Sequence, residues 1–212
     1  LVSELTATGG VVAVIDARSS ASAAAQQAVS EGVNVLIGSA VIDTHAGADN
    51  ELEAITVAPL NGGTIDTDKA QRIEVDTLAV SGGWSPVVNL HSGRKGRIDW
   101  DSQLQGFIAV DSVDGMHLAG ALTGKYSTAT ALTTGAKAGA AAATAAGYQT
   151  EATAARAIDR PYGPVQPLWL VPAADGQDAE HYANHFVDLQ RDQTVADILR
   201  STGAGMSAVE HV

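Results

Sequence analysis

Val11-Val-Ala-Val-Ile-Asp16 and Gly32-Val-Asn-Val-Leu-Ile37 flank an alanine-rich stretch, and the three together decide the fold class. Each apolar run lacks the in-out alternation of a half-exposed strand, which is the pattern of a strand covered on both faces. The spacing predicts a strand over 11–15, closed by Asp16, then a helix capped by Ser19 or Ser20 and running to about Ser30. Gly32 ends that helix and the strand 33–37 follows. A strand, a helix and a strand in this order imply a parallel sheet with a right-handed crossover. After Gly38 the pattern changes. Residues 39–43, 51–58 and 71–76 show partial alternation, and Asn61-Gly62-Gly63 reads as a turn between short β segments. The expected class is therefore α/β, a parallel sheet with an antiparallel β-meander attached.

A second stretch carries the functional reading. In Leu78-Ala-Val-Ser-Gly-Gly-Trp-Ser-Pro86 an apolar run meets two glycines. It reads as a buried parallel strand over 77–82. Gly82 and Gly83 leave room for a close approach to the backbone. Ser85 and Pro86 fit the cap and first position of a helix. Such a turn can hold a nucleotide at the carboxyl edge of a sheet. A tight strand-to-helix turn with no ligand has the same pattern, and both readings stand.

Further along, Arg94-Lys-Gly-Arg97 is a basic loop. A short strand or turn is expected at 98–100, and short strands at 107–110 and 116–119. A long Ala/Gly helix is expected from about Lys125 to Ala146, with Gly147 as its stop and small residues that let it lie close against a sheet. Residues 149–167 hold a short possible helix and a Pro-rich linker. Leu168-Trp-Leu-Val171 reads as a lone strand, and 175–180 as a polar loop. Thr194 caps a helix over 195–201, and Ser207 caps another.

Composition excludes several classes. Twenty-four acidic against 12 basic residues give a net charge of −12. No surface of that sign neutralises phosphates, so nucleic acid and anionic membranes are not expected partners. The chain has no cysteine, which removes disulfides, thiolate catalysis and thiolate-bound metals. No segment reaches the roughly 18 strongly apolar residues of a membrane helix, and no signal peptide is legible. The expectation is a cytoplasmic protein. A start at Leu1 reads as a processed or excised piece.

Few residues advertise chemistry. Asp16 ends a strand before a helix, where dinucleotide folds place an acid on the ribose hydroxyls. No glycine fingerprint precedes it, so a plain turn residue is favoured, and Arg18 reads as a surface charge. Gly115 to Thr128 forms a second glycine-bearing loop that leads into the long helix. Free N–H groups at that helix start suit a pyrophosphate or carboxamide oxygen, and Lys125 adds charge. An ordinary strand-to-helix loop is the alternative. His45, His91, His117, His181, His185 and His211 are scattered. Only His181 and His185 share a helical spacing, and no third ligand accompanies them, so no metal site is expected. Neither a nucleophile elbow nor a Gly-Lys phosphate loop is present. No catalytic residue is assigned.

Longer motifs carry a resemblance. The segment Asp76–Ser92 resembles the α subunit of heterotetrameric sarcosine oxidase, as does Gly32–Val41. Pro167-Leu-Trp-Leu-Val-Pro172, the run Phe186–Ile198 and Met206–Val212 are similar to later stretches of that family. The resemblance spans nearly the whole chain, in order. It implies a glutathione-reductase-like pair of dinucleotide-binding domains, both incomplete here. Residues 1–75 would be part of the second and 76–148 the C-terminal part of the first, the NAD-binding one. Residues 149–167 would be a linker, and 168–212 the short α-rich start of a following module. It also implies flavin-dependent oxidation of the N-methyl group of sarcosine, giving hydrogen peroxide and a one-carbon unit for tetrahydrofolate. NAD would be held by this subunit. FAD and FMN would lie elsewhere in a complex with beta, gamma and delta subunits, and the folate in another domain. Carried over by position, the NAD-binding residues are Ser81, Gly82, Gly83, Gly120, Ala121, Tyr126 and Thr128. Related two-domain flavoproteins have Asp where Ala121 stands, a departure that fits NAD rather than FAD. Opine-oxidase and cyanide-synthase-like α subunits share the plan, and a non-catalytic scaffold remains a second class.

Overall fold

The computed structural model describes residues 5, 7, 9–159, 165–174 and 179–208. They fall into two compact units, one formed by residues 1–79 with 168–212 and the other by 80–167.

The first unit begins with the βαβ step. Strand β1 (Val14–Asp16) pairs in parallel with β2 (Val35–Ile37), Val14 opposite Val35 and Asp16 opposite Ile37. Between them lies α1 (Ala23–Ser30). Its cap is Ser22, whose Oγ accepts from the Ala25 N–H at 3.2 Å. Ser22 rather than Ser19 or Ser20 holds this place because its extended backbone aims the hydroxyl at the first turn. Ala25 and Ala28 face inward.

At Gly38 the chain changes sheet. Its φ of 62° is a left-handed turn open to glycine, its N–H donates to the Arg18 carbonyl, and its own carbonyl accepts from Leu60. β3 (Ser39–Ala46) and β4 (Leu52–Asn61) then pair antiparallel. β4 also pairs with β5 (Thr64–Ile65) and β6 (Gln71–Glu74), so the expected meander is present. The Asn61–Thr64 hairpin turns on Gly62 and Gly63, both at positive φ, as a twist-matched two-residue loop requires. Ala54, Ile55, Val57 and Ala58 on β4 are buried; two adjacent pairs can be covered only if both faces of the strand are packed. Later in the chain, β9 (Phe186–Asp188) pairs antiparallel with β10 (Gln193–Thr194), and α4 (Val195–Gly203) follows. Thr194 caps α4 as read from the sequence, and Asp197 completes a capping box by accepting from the Thr194 N–H.

The second unit is less regular. It holds α2 (Asn89–Gly93), the hairpin β7 (Ile98–Asp101) and β8 (Gly106–Ala109), a single 3-10 turn (Gly120–Thr123), and α3 (Thr128–Ala145). Trp100 and Phe107 face one another across the hairpin, with ring centres 5.2 Å apart.

Several expectations are corrected here. Residues 77–82 form no strand, and no helix starts at Ser85-Pro86; α2 begins three residues later, at Asn89, without a side-chain cap. A strand exists only against a partner, and no described segment pairs with this one. Residues 116–119 and 168–171 are not strands either, for the same reason. The short helix considered within 149–159 is absent. The long helix starts at Thr128, because Gly124 at φ 73° ends the preceding turn and Ser127 supplies the cap. That helix buries no residue, so the close packing on a sheet expected from its small residues is not present. The Pro-rich run at 160–164, most of the 175–180 loop and the helix after Ser207 lie outside the described residues.

Candidate functional site

Two glycine-bearing loops of the second unit meet. The Tyr126 hydroxyl donates to the Trp84 carbonyl at 3.3 Å, across 42 residues of sequence. Burial raises the Tyr126 phenol above its ordinary value and the charge of Asp101 adds to this, so the hydroxyl keeps its proton and remains a donor.

In the first loop, Ser81, Gly82 and Gly83 are exposed, and Gly83 has a φ of 111°. No backbone N–H from Ser81 to Trp84 meets an acceptor among the described residues. A Cβ at Gly82 or Gly83 would meet nothing within 4 Å, so a ligand has free access to this backbone.

In the second loop the N–H groups are partly spent. Gly120 donates to Thr134 Oγ1 at 3.4 Å, Gly124 to the Ala121 carbonyl at 2.9 Å, and Lys125 to the Gly120 carbonyl at 3.1 Å. Gly124 is also required by packing, since a Cβ would come within 2.9 Å of the Leu104 side chain. At the start of α3, Ser127 Oγ accepts from Thr130 at 3.2 Å, and Asp159 accepts from the Ala129 N–H at 2.8 Å. The N–H groups of Tyr126, Ser127 and Thr128, at the start of α3, meet no acceptor among the described residues. Chemically, the two loops offer neutral N–H donors to an anion and no acid/base pair.

Asp16, Arg18, His181 and His185, the other sequence candidates, belong to the first unit. Asp16 is clasped by Arg18, with Nε 2.8 Å from one carboxylate oxygen and a terminal nitrogen 2.6 Å from the other. The Arg18 hydrogen bond holds the Asp16 carboxyl below its usual range, against a smaller opposing effect of burial. This internal pairing is what a turn residue does. Arg18 is therefore a partner of Asp16 and not a free surface charge. His181 and His185 stand with ring centres 5.6 Å apart around Tyr182, and among the described residues no group of three or more potential ligands could hold a metal. No described helix is long and apolar enough to cross a membrane.

One polar centre escaped sequence reading. His91 on α2 is fully buried. Its Nε2 lies 2.8 Å from Asp111 Oδ1 and 3.3 Å from the Arg97 carbonyl. Two acceptors at one nitrogen mean that Nε2 carries the proton and donates. The Arg97 N–H donates to the same Asp111 oxygen at 2.9 Å. Gly96 lies against the imidazole, where a Cβ would overlap the ring at 2.3 Å. No local spacing announces the pair, since Asp111 is 20 residues away beyond a hairpin.

Mixed parallel and antiparallel sheets with a few helices place the chain among α/β proteins. Its candidate site is built of backbone donors. No family model matches the chain. It is 58% identical over all 212 residues to the sarcosine oxidase subunit alpha of Corynebacterium sp. (strain U-96). It is 54% identical over the same 212 residues to that of Corynebacterium sp. (strain P-1), and 30% identical over 99% of its length to that of Rhizobium meliloti (strain 1021). Over its whole length the chain is thus similar to sarcosine oxidase alpha subunits, the likeness its motifs carried. It spans 22% of the length of the first two relatives and 20% of the third.

Proposed function

We propose that this chain contributes a dinucleotide-binding surface, for NAD, to the alpha subunit of a sarcosine-oxidising flavoenzyme, within a glutathione-reductase-like fold. The parent would couple flavin-dependent oxidation of sarcosine to peroxide formation and pass a one-carbon unit to tetrahydrofolate. Supporting this are the relatives' name and one geometric observation: the hydrogen bond from Tyr126 to Trp84 joins the two glycine loops that the sequence singled out. The residues suit a pyrophosphate, whose oxygens need backbone donors approached without a Cβ in the way. When bound, NAD would supply a nicotinamide ring. Ser81 to Gly83 would offer N–H groups, Gly120 a backbone with no Cβ in the way and Ala121 a small uncharged side chain beside it, and Tyr126 and Thr128 the donors that precede and open α3. FAD, FMN and folate have no assigned residues in this chain and belong, in this reading, to other parts of a complex with beta, gamma and delta subunits.

Calorimetric titration of NAD into the full-length subunit tests the reading, with Ala121→Asp as the variant. A carboxylate a few ångström from the pyrophosphate costs on the order of 1–4 kcal/mol depending on the local dielectric. Unchanged affinity removes Ala121 from the site, and no binding to the wild type removes the site itself. The chain alone, which carries no acid/base pair in the candidate site, is expected to form no peroxide from sarcosine; turnover above a buffer blank would refute that.

A second reading is a scaffold that binds no cofactor. It is favoured by the exposed apolar side chains Val80, Trp84, Val87 and Leu90, which follow one another along one short stretch.

A further inference from the structure

The indole of Trp84 directly follows the free N–H groups of Ser81, Gly82 and Gly83. It is 85% exposed and makes no ring contact or hydrogen bond among the described residues. An aromatic of this size is costly to leave in water, and burial of its surface is worth more than that of any other side chain. Its backbone, by contrast, is held: the carbonyl of Trp84 accepts from the half-buried Tyr126 hydroxyl. A fixed backbone and an unengaged ring make a platform. Lying one residue beyond an anion-cradling loop, that platform is within reach of a planar group attached to the anion through a sugar.

We infer that Trp84 is the base-stacking residue of this surface, packing its indole against the adenine of an adenine dinucleotide whose pyrophosphate lies on the Ser81–Gly83 backbone. The inference rests on the dinucleotide reading above and adds to it a specificity-determining side chain. Stacking recognises the face of a base and not its edge, so any ligand carrying adenosine diphosphate shares the contact, whatever its other half. A ligand with the pyrophosphate alone does not.

The experiment compares NAD, ADP-ribose and inorganic pyrophosphate on the full-length subunit, as wild type, Trp84→Ala and Trp84→Phe. The alanine variant is expected to bind NAD and ADP-ribose about 5- to 150-fold more weakly, the worth of one stacked base. The phenylalanine variant should recover most of that loss, and pyrophosphate should bind all three proteins alike. Alanine affinities within twofold of wild type overturn the inference and leave the dinucleotide reading intact. An equal loss for pyrophosphate also overturns it, since Trp84 would then shape the loop and not meet the base. Failure of the wild type to bind NAD defeats the dinucleotide reading itself. Should the alanine variant not fold, the emission that the wild type has and Trp84→Phe lacks, which is that of Trp84, decides the matter. Quenching by ADP-ribose but not by pyrophosphate is expected, and unchanged emission with bound ADP-ribose overturns the inference.

Discussion

Strand β4 and helix α3 are both long elements, and they bury their residues in opposite ways. β4 runs between two antiparallel neighbours and covers Ala54, Ile55, Val57 and Ala58 almost completely. α3 covers none of its 18 residues. Around α3, the unit spanning 80–167 has Ala109 as its buried apolar side chain among the described residues, and its most enclosed large residue is His91. One unit is therefore held by apolar area removed from water, the other largely by a polar network and by local backbone caps. Apolar packing is cooperative and non-directional, whereas a hydrogen bond contributes only about 0.5–1.5 kcal/mol net and depends on its geometry. The two units should respond differently to the same kind of substitution.

Truncation gives the largest contrast. Ile55→Ala is expected to cost roughly 2–5 kcal/mol, the range for a buried branched side chain that leaves a void. Leu132→Ala on α3, already 39% exposed, should stay within about 0.5 kcal/mol. A single melting temperature is ill-defined for two units, so amide exchange read separately in β4 and α3 is the measurement. Equal losses of protection would dissolve the distinction.

The polar centre gives the next effect. His91→Ala removes a hydrogen bond to a charged group, worth roughly 1.5–3 kcal/mol, and leaves a hole under Gly96. The loss should appear in amides of α2 and the β7–β8 hairpin while β4 keeps its protection. Loss of protection in β4 as well would show that the two units unfold together.

The smallest effect is electrostatic. Hydrogen bonds from Thr194, then from Arg200, lower the Asp197 carboxyl to about 2. A depressed carboxyl stabilises the fold above its unfolded value near 3.8, and that contribution is lost as pH falls toward 2. The start of α4 should thus fray between about pH 4 and pH 2, and the Asp197→Asn variant should lack this acid step. NMR titration of the Asp197 carboxyl carbon checks it; a midpoint at the ordinary carboxylate value would show that the capping box does not persist in solution.

Legibility followed the range of the interaction. The βαβ step was readable because its strands, helix and stop glycine lie within 27 residues of chain, from Val11 to Ile37. The meander was readable from its alternation and from Asn61-Gly62-Gly63. Thr194 was readable as a cap because capping is settled within one turn. The candidate loops were read as glycine clusters, but the Tyr126–Trp84 bond that joins them was not visible. Trp84 itself was given no role of its own in the Leu78–Pro86 stretch. The strand assigned to 77–82 failed for an instructive reason. An apolar run states that a segment must be covered, and not what covers it, and here Val80 and Trp84 face water.

The amino-acid sequence by itself determined the local grammar: the parallel crossover, the glycine turns, the helix caps, the acidic balance, and the motifs shared with sarcosine oxidase alpha subunits. Each depends on residues a few positions apart, where backbone sterics and short-range hydrogen bonds act without the rest of the fold. Only the tertiary structure decided which segments pair as strands and that His91 finds Asp111 beyond a hairpin. It also decided that the N–H groups of one glycine loop stay free while Asp159 occupies a donor beside the other. Such outcomes depend on which groups meet after chain closure, and the free energy of a contact is set by the partner that arrives, which no local pattern encodes.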